Sequence, residues 1–235
     1  MDIIREKILE NYEVQIAASF SCVEILDALY GVTCEGIMGE DDIFILSKGH
    51  AAPAQYTILA MKGVIPWDQL AKYGPYVHYE APGMPFTTGS LGCGLGLGAG
   101  VALGKRLKGD KGRVYVLCGD GELYEGSIWE AVRFAGEMEL GNLTLIVDHN
   151  KKACIEQDVK NPRYLFSPYR WANNRVLDGH NLEHVQYWLS GRACSPDKWK
   201  RPTVFIVDTI KGQGFQELID DPLRHVRRVV DGRII

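Results

Sequence analysis

No pair among the six cysteines forms a CxxC, and the histidines do not stand at zinc-finger spacing. A structural zinc site of that kind is therefore not expected. The thiols, at positions 22, 34, 93, 118, 154 and 194, are scattered, as suits a reducing compartment. No apolar leader opens the chain: Met1-Asp2-Ile3-Ile4-Arg5-Glu6-Lys7 carries charges where a signal peptide needs an apolar stretch. There is no excess of positive charge. Lys and Arg total 26 against 30 Asp and Glu, a net charge of -4, which leaves no electrostatic footprint for nucleic acid. The short basic run Arg224-His225-Val226-Arg227-Arg228 reads as a solvated tail. The P-loop pattern, GxxxxGK followed by Ser or Thr, is missing, and Gly119-Asp120-Gly121 does not extend into a GxGxxG. No internal repeat or low-complexity linker divides the chain.

What is present is a chain of 235 residues, 46% hydrophobic and 24% charged, as in a folded domain with a core of useful size. Its longest uncharged run, Ala81 to Gly104, has the length of a membrane span. Seven glycines from Gly89 onward, with Pro82, Pro85, Thr87, Thr88 and Ser90, argue against one. The expectation is a single soluble, cytoplasmic domain over residues 1–235, with no nucleic-acid or membrane partner.

Periodicity alternates between helix and strand. Ile4, Ile8 and Leu9, then Val23, Ile25, Leu26 and Leu29, recur at helical spacing. Ser21 is placed to cap the second helix with Glu24 as a capping box, and Gly31 to end it. Residues 42–46 predict a strand, followed by a turn through Ser47-Lys48-Gly49-His50 into a helix over 51–61. Pro66 begins a short helix that ends near Gly74, and residues 74–90 read as a loop. A helix is predicted from Leu91 despite its glycines, each costing ~1 kcal/mol against alanine. That cost is expected where backbones or a ligand approach closely. Residues 114–118, 143–147 and 203–208 predict strands, with helices over 122–139 and 182–189. The strand–helix–strand unit over 114–147 implies parallel pairing and a right-handed crossover. The fold class is α/β, a mostly parallel sheet with helices on both faces.

In such sheets ligands bind beyond the carboxyl ends of the strands. Asp120 follows one strand of that unit and Asn150 the next. On neighbouring strands, ~4.8 Å apart, their oxygens could share one hard cation, and with phosphate oxygens the set suits Mg2+. Glycines beside Asp120 would admit a phosphate, and a helix beginning near Glu122 would point its N-terminus at the anion. Taken alone, Asp120 favours the reading as a helix cap, with Asn150 as a turn residue.

Gly119-Asp120-Gly121 with Asn150 thirty residues after the aspartate resembles the thiamine-diphosphate motif of the transketolase family. Glu125-Gly126 and Glu130-Ala131 match in register. So do Ser21 to Leu26, Leu46-Ser47-Lys48-Gly49-His50-Ala51, Pro82-Gly83, Thr87-Thr88-Gly89-Ser90-Leu91-Gly92, Asp178-Gly179-His180-Asn181, and Lys211-Gly212-Gln213-Gly214 followed by His225. The resemblance spans roughly residues 15–226 and implies a thiamine-diphosphate-binding fold. It implies Mg2+ held by Asp120, Asn150 and a backbone carbonyl near Lys152. Gly89, Ser90, Leu91, Gly119, Gly121 and Glu122 would border the cofactor. His50, His225 and His78 are the implied catalytic histidines, His78 standing in for one in the family's loop. Glu125 and Glu130 would lie between cofactor-binding domains.

The resemblance also implies a partner. Family members carry a second, pyrimidine-binding domain, expected here on a C-terminal transketolase-like subunit in an α2β2 assembly. The expected reaction is transfer of a two-carbon ketol unit from a ketose, or ketose phosphate, to an aldehyde or other acceptor. Transfer from a 2-oxo acid or to a carrier protein, and a non-catalytic role, are the alternatives. Gln15, where the family has histidine, Cys93 in place of a glutamine, and the altered loop 74–79 suggest a changed donor.

Overall fold

The computed structural model describes residues 3–152, 162–176, 178–191 and 200–220, and two paired two-residue strands near the C-terminus. Five parallel strands form the sheet: β1 (Ile43–Leu46), β2 (Val114–Gly119), β3 (Leu143–His149), β4 (Ala172–Val176) and β5 (Thr203–Asp208). Their order is β1-β2-β3-β5-β4. β2, β3 and β5 are runs of Val, Leu, Ile and Phe buried on both faces, the composition that central parallel strands require.

Successive side chains enter two different cores. Phe44, Leu46, Leu117, Ile146, Phe205 and Val207 face α1 (Ile3–Asn11), α2 (Ile16–Phe20), α3 (Val23–Tyr30), α4 (Ala52–Met61) and α8 (Leu182–Leu189). Ile45, Val116, Leu145, Val147 and Ile206 face α6 (Cys93–Leu107) and α7 (Gly126–Glu137). The expected helices on both faces are therefore present. A short α5 (Leu70–Tyr73) ends at Gly74, and α9 (Gln216–Ile219) follows β5.

The glycines of α6 have a packing reason. A Cβ on Gly94 would lie 2.4 Å from the Ser47 Cβ, and one on Gly98 would lie 2.4 Å from a Val116 methyl. The helix thus rides directly on the sheet at the end nearest the candidate site.

Three local expectations are corrected. Ser21 does not cap α3, which begins at Cys22 without a side-chain cap; Ser21 instead ends α2, and its hydroxyl lies 3.0 Å from the Ala18 carbonyl and 2.6 Å from Asp148. Glu24 binds Arg5 and His180 instead of closing a capping box. The helix expected over 122–139 is split: a 3-10 turn over Asp120–Tyr124, an extended residue at Glu125, then α7. β4 was not expected. Its sequence, Ala-Asn-Asn-Arg-Val, is poor in strand formers, yet it alternates buried and half-buried positions along the sheet edge.

Candidate active site

The carboxyl ends of β1, β2, β3 and β5 converge on a cavity of about 190 Å³. Ala18, Lys48, His50, Leu91, Gly119, Asp120, Gly121, Glu122, Asn150, Lys152 and Lys211 line it. A larger hollow, about 830 Å³, opens beside Asp42 and Arg113 at the amino ends of β1 and β2, away from this edge.

β2 and β3 pair with Gly119 opposite Asp148, so Asp120 and Asn150 leave adjacent strands as anticipated. The Asp120 carboxylate is 8% exposed and accepts from the Lys151 N–H at 2.7 Å and from the Gly121 N–H at 2.9 Å. Burial raises its pKa; Asp148 adds to that, and Lys48 opposes it. A cation at this carboxylate would remove that penalty. The Asn150 amide oxygen accepts only from the Lys152 N–H, at 3.2 Å, among the bonds described. A carboxylate, an amide and nearby backbone carbonyls are hard oxygen donors that leave coordination positions for phosphate and water, so the residues fit Mg2+.

Glu122 lines the cavity but spends its carboxylate internally. It accepts from the Ser47 hydroxyl at 2.5 Å, the Gly92 N–H at 3.0 Å and the Gly119 N–H at 2.9 Å. Burial pushes its pKa up against those three bonds. It therefore clamps the glycine loop to the ends of β1 and β2. The turn that lines the cavity is the 3-10 segment that contains it, not the N-terminus of α7.

Two cations at the wall were not assigned from sequence. Lys48 is 8% exposed, pairs with the fully buried Asp148, and donates to the Ala18 carbonyl at 2.9 Å and the Ser21 hydroxyl at 2.8 Å. Asp148 also accepts from the Thr209 hydroxyl. Burial pushes the Asp148 carboxyl up, and Lys48 with the two hydroxyls more than reverses this, holding it low. Lys211 is 6% exposed, and burial next to Lys48 lowers its pKa to about 8. Both lysines stand in family-like motifs just beyond strand ends, which was the available signal. Together with Lys152 they surround Asp120 with positive charge.

His50 is half-buried on the same wall. Burial lowers its pKa, and Lys48 and Lys211 lower it further, so it is neutral at pH 7. Its ring meets Tyr76 edge-on at 5.7 Å, and the Tyr76 hydroxyl lies 3.3 Å from the Gln15 amide nitrogen. Gln15 holds φ 60° and ψ 21°, a left-handed conformation few side-chain-bearing residues adopt. Tyr76, not His78, stands beside His50. His78 stacks on Tyr79 and is not among the lining residues. Gly89 and Ser90 adjoin Leu91 in the loop without lining the cavity. His225 lies outside the described residues. Glu125 is half-buried and Glu130 is exposed.

Comparison with known proteins shows the family and the fold. Residues 36–225 match the family model described as transketolase, thiamine diphosphate binding domain. The chain is 43% identical to one of the subunits of apulose-4-phosphate transketolase from Actinobacillus succinogenes, over 88% of this chain and 80% of that one. It is 32% identical to the 6-deoxy-6-sulfo-D-fructose transketolase subunit SqwG of Clostridium sp., over 85% and 78% of the two chains. The match to mouse transketolase, at 35% identity, covers 79% of this chain but only 31% of that one. The fold superposes on Campylobacter jejuni transketolase with a TM-score of 0.77 at 24% identity, covering 95% of this chain and 38% of that structure.

Proposed function

Because the chain belongs to the transketolase family and carries its thiamine-diphosphate-binding domain, we propose that it is the diphosphate-binding subunit of a two-subunit transketolase. The observation that carries the reading is the meeting of Asp120, Asn150, His50, Lys48 and Lys211 in one cavity at the carboxyl edge of the sheet. Asp120 and Asn150, with a carbonyl near Lys152, hold Mg2+. Lys48 and Lys211 balance the diphosphate charge, and Leu91, Gly119 and Gly121 border the cofactor, with Gly89 and Ser90 shaping the loop behind Leu91. Glu122 acts indirectly, by fixing that loop.

When bound, thiamine diphosphate supplies the electron sink that lets a carbon–carbon bond beside a carbonyl break and re-form. The protein's part is position and proton movement. Neutral His50 can accept a proton from a donor hydroxyl at its unprotonated ring nitrogen and return it in the second half-reaction. Tyr76 and Gln15 add neutral hydrogen-bonding groups next to it. His225 is assigned beside the diphosphate on its motif alone.

Two relatives are named as transketolase subunits, which supports a partner chain; we assign the pyrimidine-binding domain to that chain and propose an α2β2 assembly. Their names also specify ketoses bearing a phosphate or a sulfo group. The donor proposed here is accordingly a ketose with a terminal anion, and the acceptor an aldehyde. Among the described residues no helix is long and apolar enough to cross a membrane. The free thiols Cys22, Cys34, Cys93 and Cys118 support a cytoplasmic, reducing location.

The test is product analysis with the co-expressed partner. Ketose phosphate plus an aldehyde should yield the two-carbon-extended sugar. Turnover of pyruvate instead would replace this reading with 2-oxo-acid chemistry, and cofactor binding without either product would make the subunit non-catalytic.

A further inference from the structure

Asp178-Gly179-His180-Asn181 matches a family motif, yet none of its residues reaches the cavity. Each residue nonetheless has a defined bond. The Asp178 carboxylate accepts the His180 N–H at 3.2 Å, and the Asn181 side chain caps α8 by accepting the His184 N–H at 3.0 Å. The Gly179 N–H donates to the Asp208 carbonyl at 2.8 Å. A Cβ on Gly179 would sit 2.5 Å from that oxygen, so the turn rests directly on the end of β5.

The His180 ring then bridges two other elements. The Ile210 N–H donates to Nε2 at 2.8 Å, so Nε2 must present its lone pair. The proton therefore sits on Nδ1, 3.1 Å from the Glu24 carboxylate. Glu24 is itself gripped by both Arg5 guanidinium nitrogens, at 2.8 and 2.9 Å, and Arg5 also donates to the Phe20 carbonyl at 2.8 Å. A two-point Arg–carboxylate pair has fixed geometry. The Nδ1 side of the ring is thus oriented by α1 and α3, while the Ile210 N–H fixes the tautomer.

Ile210 precedes Lys211. The segment is tied on one side by the Thr209 N–H to the His149 carbonyl at 3.2 Å and on the other by the Gly212 N–H to the Ala17 carbonyl at 3.1 Å. Between those ties, His180 supplies the bond at Ile210. We propose that His180 is a positioning residue: its Nε2 holds the Ile210 N–H and so places the Lys211 ammonium at the cavity wall. The role for Lys211 rests on the proposed diphosphate site; the contact at Ile210 does not.

Two side chains separate the two halves of the imidazole. In His180→Gln the amide oxygen reaches the Nε2 position and can still accept from Ile210. In His180→Asn the amide reaches only the Nδ1 position, keeping Glu24 and losing Ile210. Hydrogen exchange on the full chain should show the 209–212 amides exchanging roughly tenfold faster in His180→Asn, about the factor a single hydrogen bond carries, and near wild type in His180→Gln. Thiamine diphosphate with Mg2+, titrated into the chain with its partner subunit, should bind about three- to tenfold more weakly in His180→Asn and within twofold of wild type in His180→Gln. Equal exchange in all three proteins overturns the proposal. So does equal loss in both variants, which marks a merely structural histidine, or faster exchange with unchanged cofactor affinity. A wild-type assembly that takes up no cofactor would instead overturn the reading of the site, and the exchange comparison would still decide the His180 contact.

Discussion

Replacing Lys48 by methionine isolates the strongest electrostatic feature of the cavity. Asp148 is 0% exposed and Lys48 8% exposed, so neither charge is well solvated once its partner is gone. Breaking a buried pair from one side costs about 3–5 kcal/mol, because it strands a charge rather than because the pair itself is worth that much. In Lys48→Met, Asp148 keeps the Ser21 and Thr209 hydroxyls as donors, which places the expected loss near the lower end, ~3 kcal/mol at pH 7. Asp148→Asn should cost less, ~2 kcal/mol, since Lys48 retains the Ala18 carbonyl and the Ser21 hydroxyl. The two losses should not add in the double variant.

The pH dependence gives a signature. In the wild type Asp148 is held low and Lys48 high, so the pair's contribution is present above the unfolded Asp pKa and below the unfolded Lys pKa. It is lost only as pH falls through the depressed Asp148 value or rises through the raised Lys48 value. In Lys48→Met, burial without the ammonium pushes the Asp148 pKa above its unfolded value. The sign then reverses: that carboxyl destabilises the fold at neutral pH and ceases to as it protonates. Urea denaturation from pH 5 to pH 8 should show the Lys48→Met deficit shrinking toward pH 5. A deficit below 1 kcal/mol at pH 7, or one independent of pH, would refute the reasoning.

Other perturbations probe the remaining walls. The Lys211 pKa of about 8 lies below the unfolded lysine value, so the folded chain without cofactor should gain stability as pH rises from about 8 toward 10.5. An anion beside Lys211 restores its charge, so cofactor binding near pH 8 should take up protons, measurable by calorimetry in buffers of different ionisation enthalpy; proton release would contradict it. Gly94→Ala puts a methyl 2.5 Å from the Ser47 hydroxyl oxygen and should destabilise the chain by about 1–3 kcal/mol while loosening the Ser47–Glu122 clamp, seen as a lower melting temperature. Tyr76→Phe removes the hydroxyl near Gln15 but keeps the ring against His50. It should leave cofactor affinity unchanged and raise KM for the donor roughly three- to tenfold; an altered cofactor affinity would place Tyr76 elsewhere in the mechanism.

The central strands and the Asp120–Asn150 pairing were legible because they depend on short-range pattern. Val114 to Cys118 and Leu143 to Val147 are apolar runs, and a single helix between them forces parallel neighbours with those polar groups at the same edge. The Lys48–Asp148 pair was not legible, since its partners are 100 residues apart and only the sheet brings them together. Ser21 misled for the same reason: a local cap lost to a tertiary carboxylate. β4 was hidden because Asn173, Asn174 and Arg175 are poor strand formers that an edge position tolerates, and Arg175 finds Asp208 across the neighbouring strand at 2.6 Å. The loop 74–79 showed a departure from the family pattern. That Tyr76 packs on His50 is visible only in the structure.

The most direct test of the account is a calorimetric titration of thiamine diphosphate with Mg2+ into this chain, alone and with its partner subunit, for wild type and Asp120→Ala. Tight, Mg2+-dependent binding by the wild type is expected only in the presence of the partner, and should be lost in Asp120→Ala. Binding by Asp120→Ala with the wild-type affinity and metal dependence would contradict it.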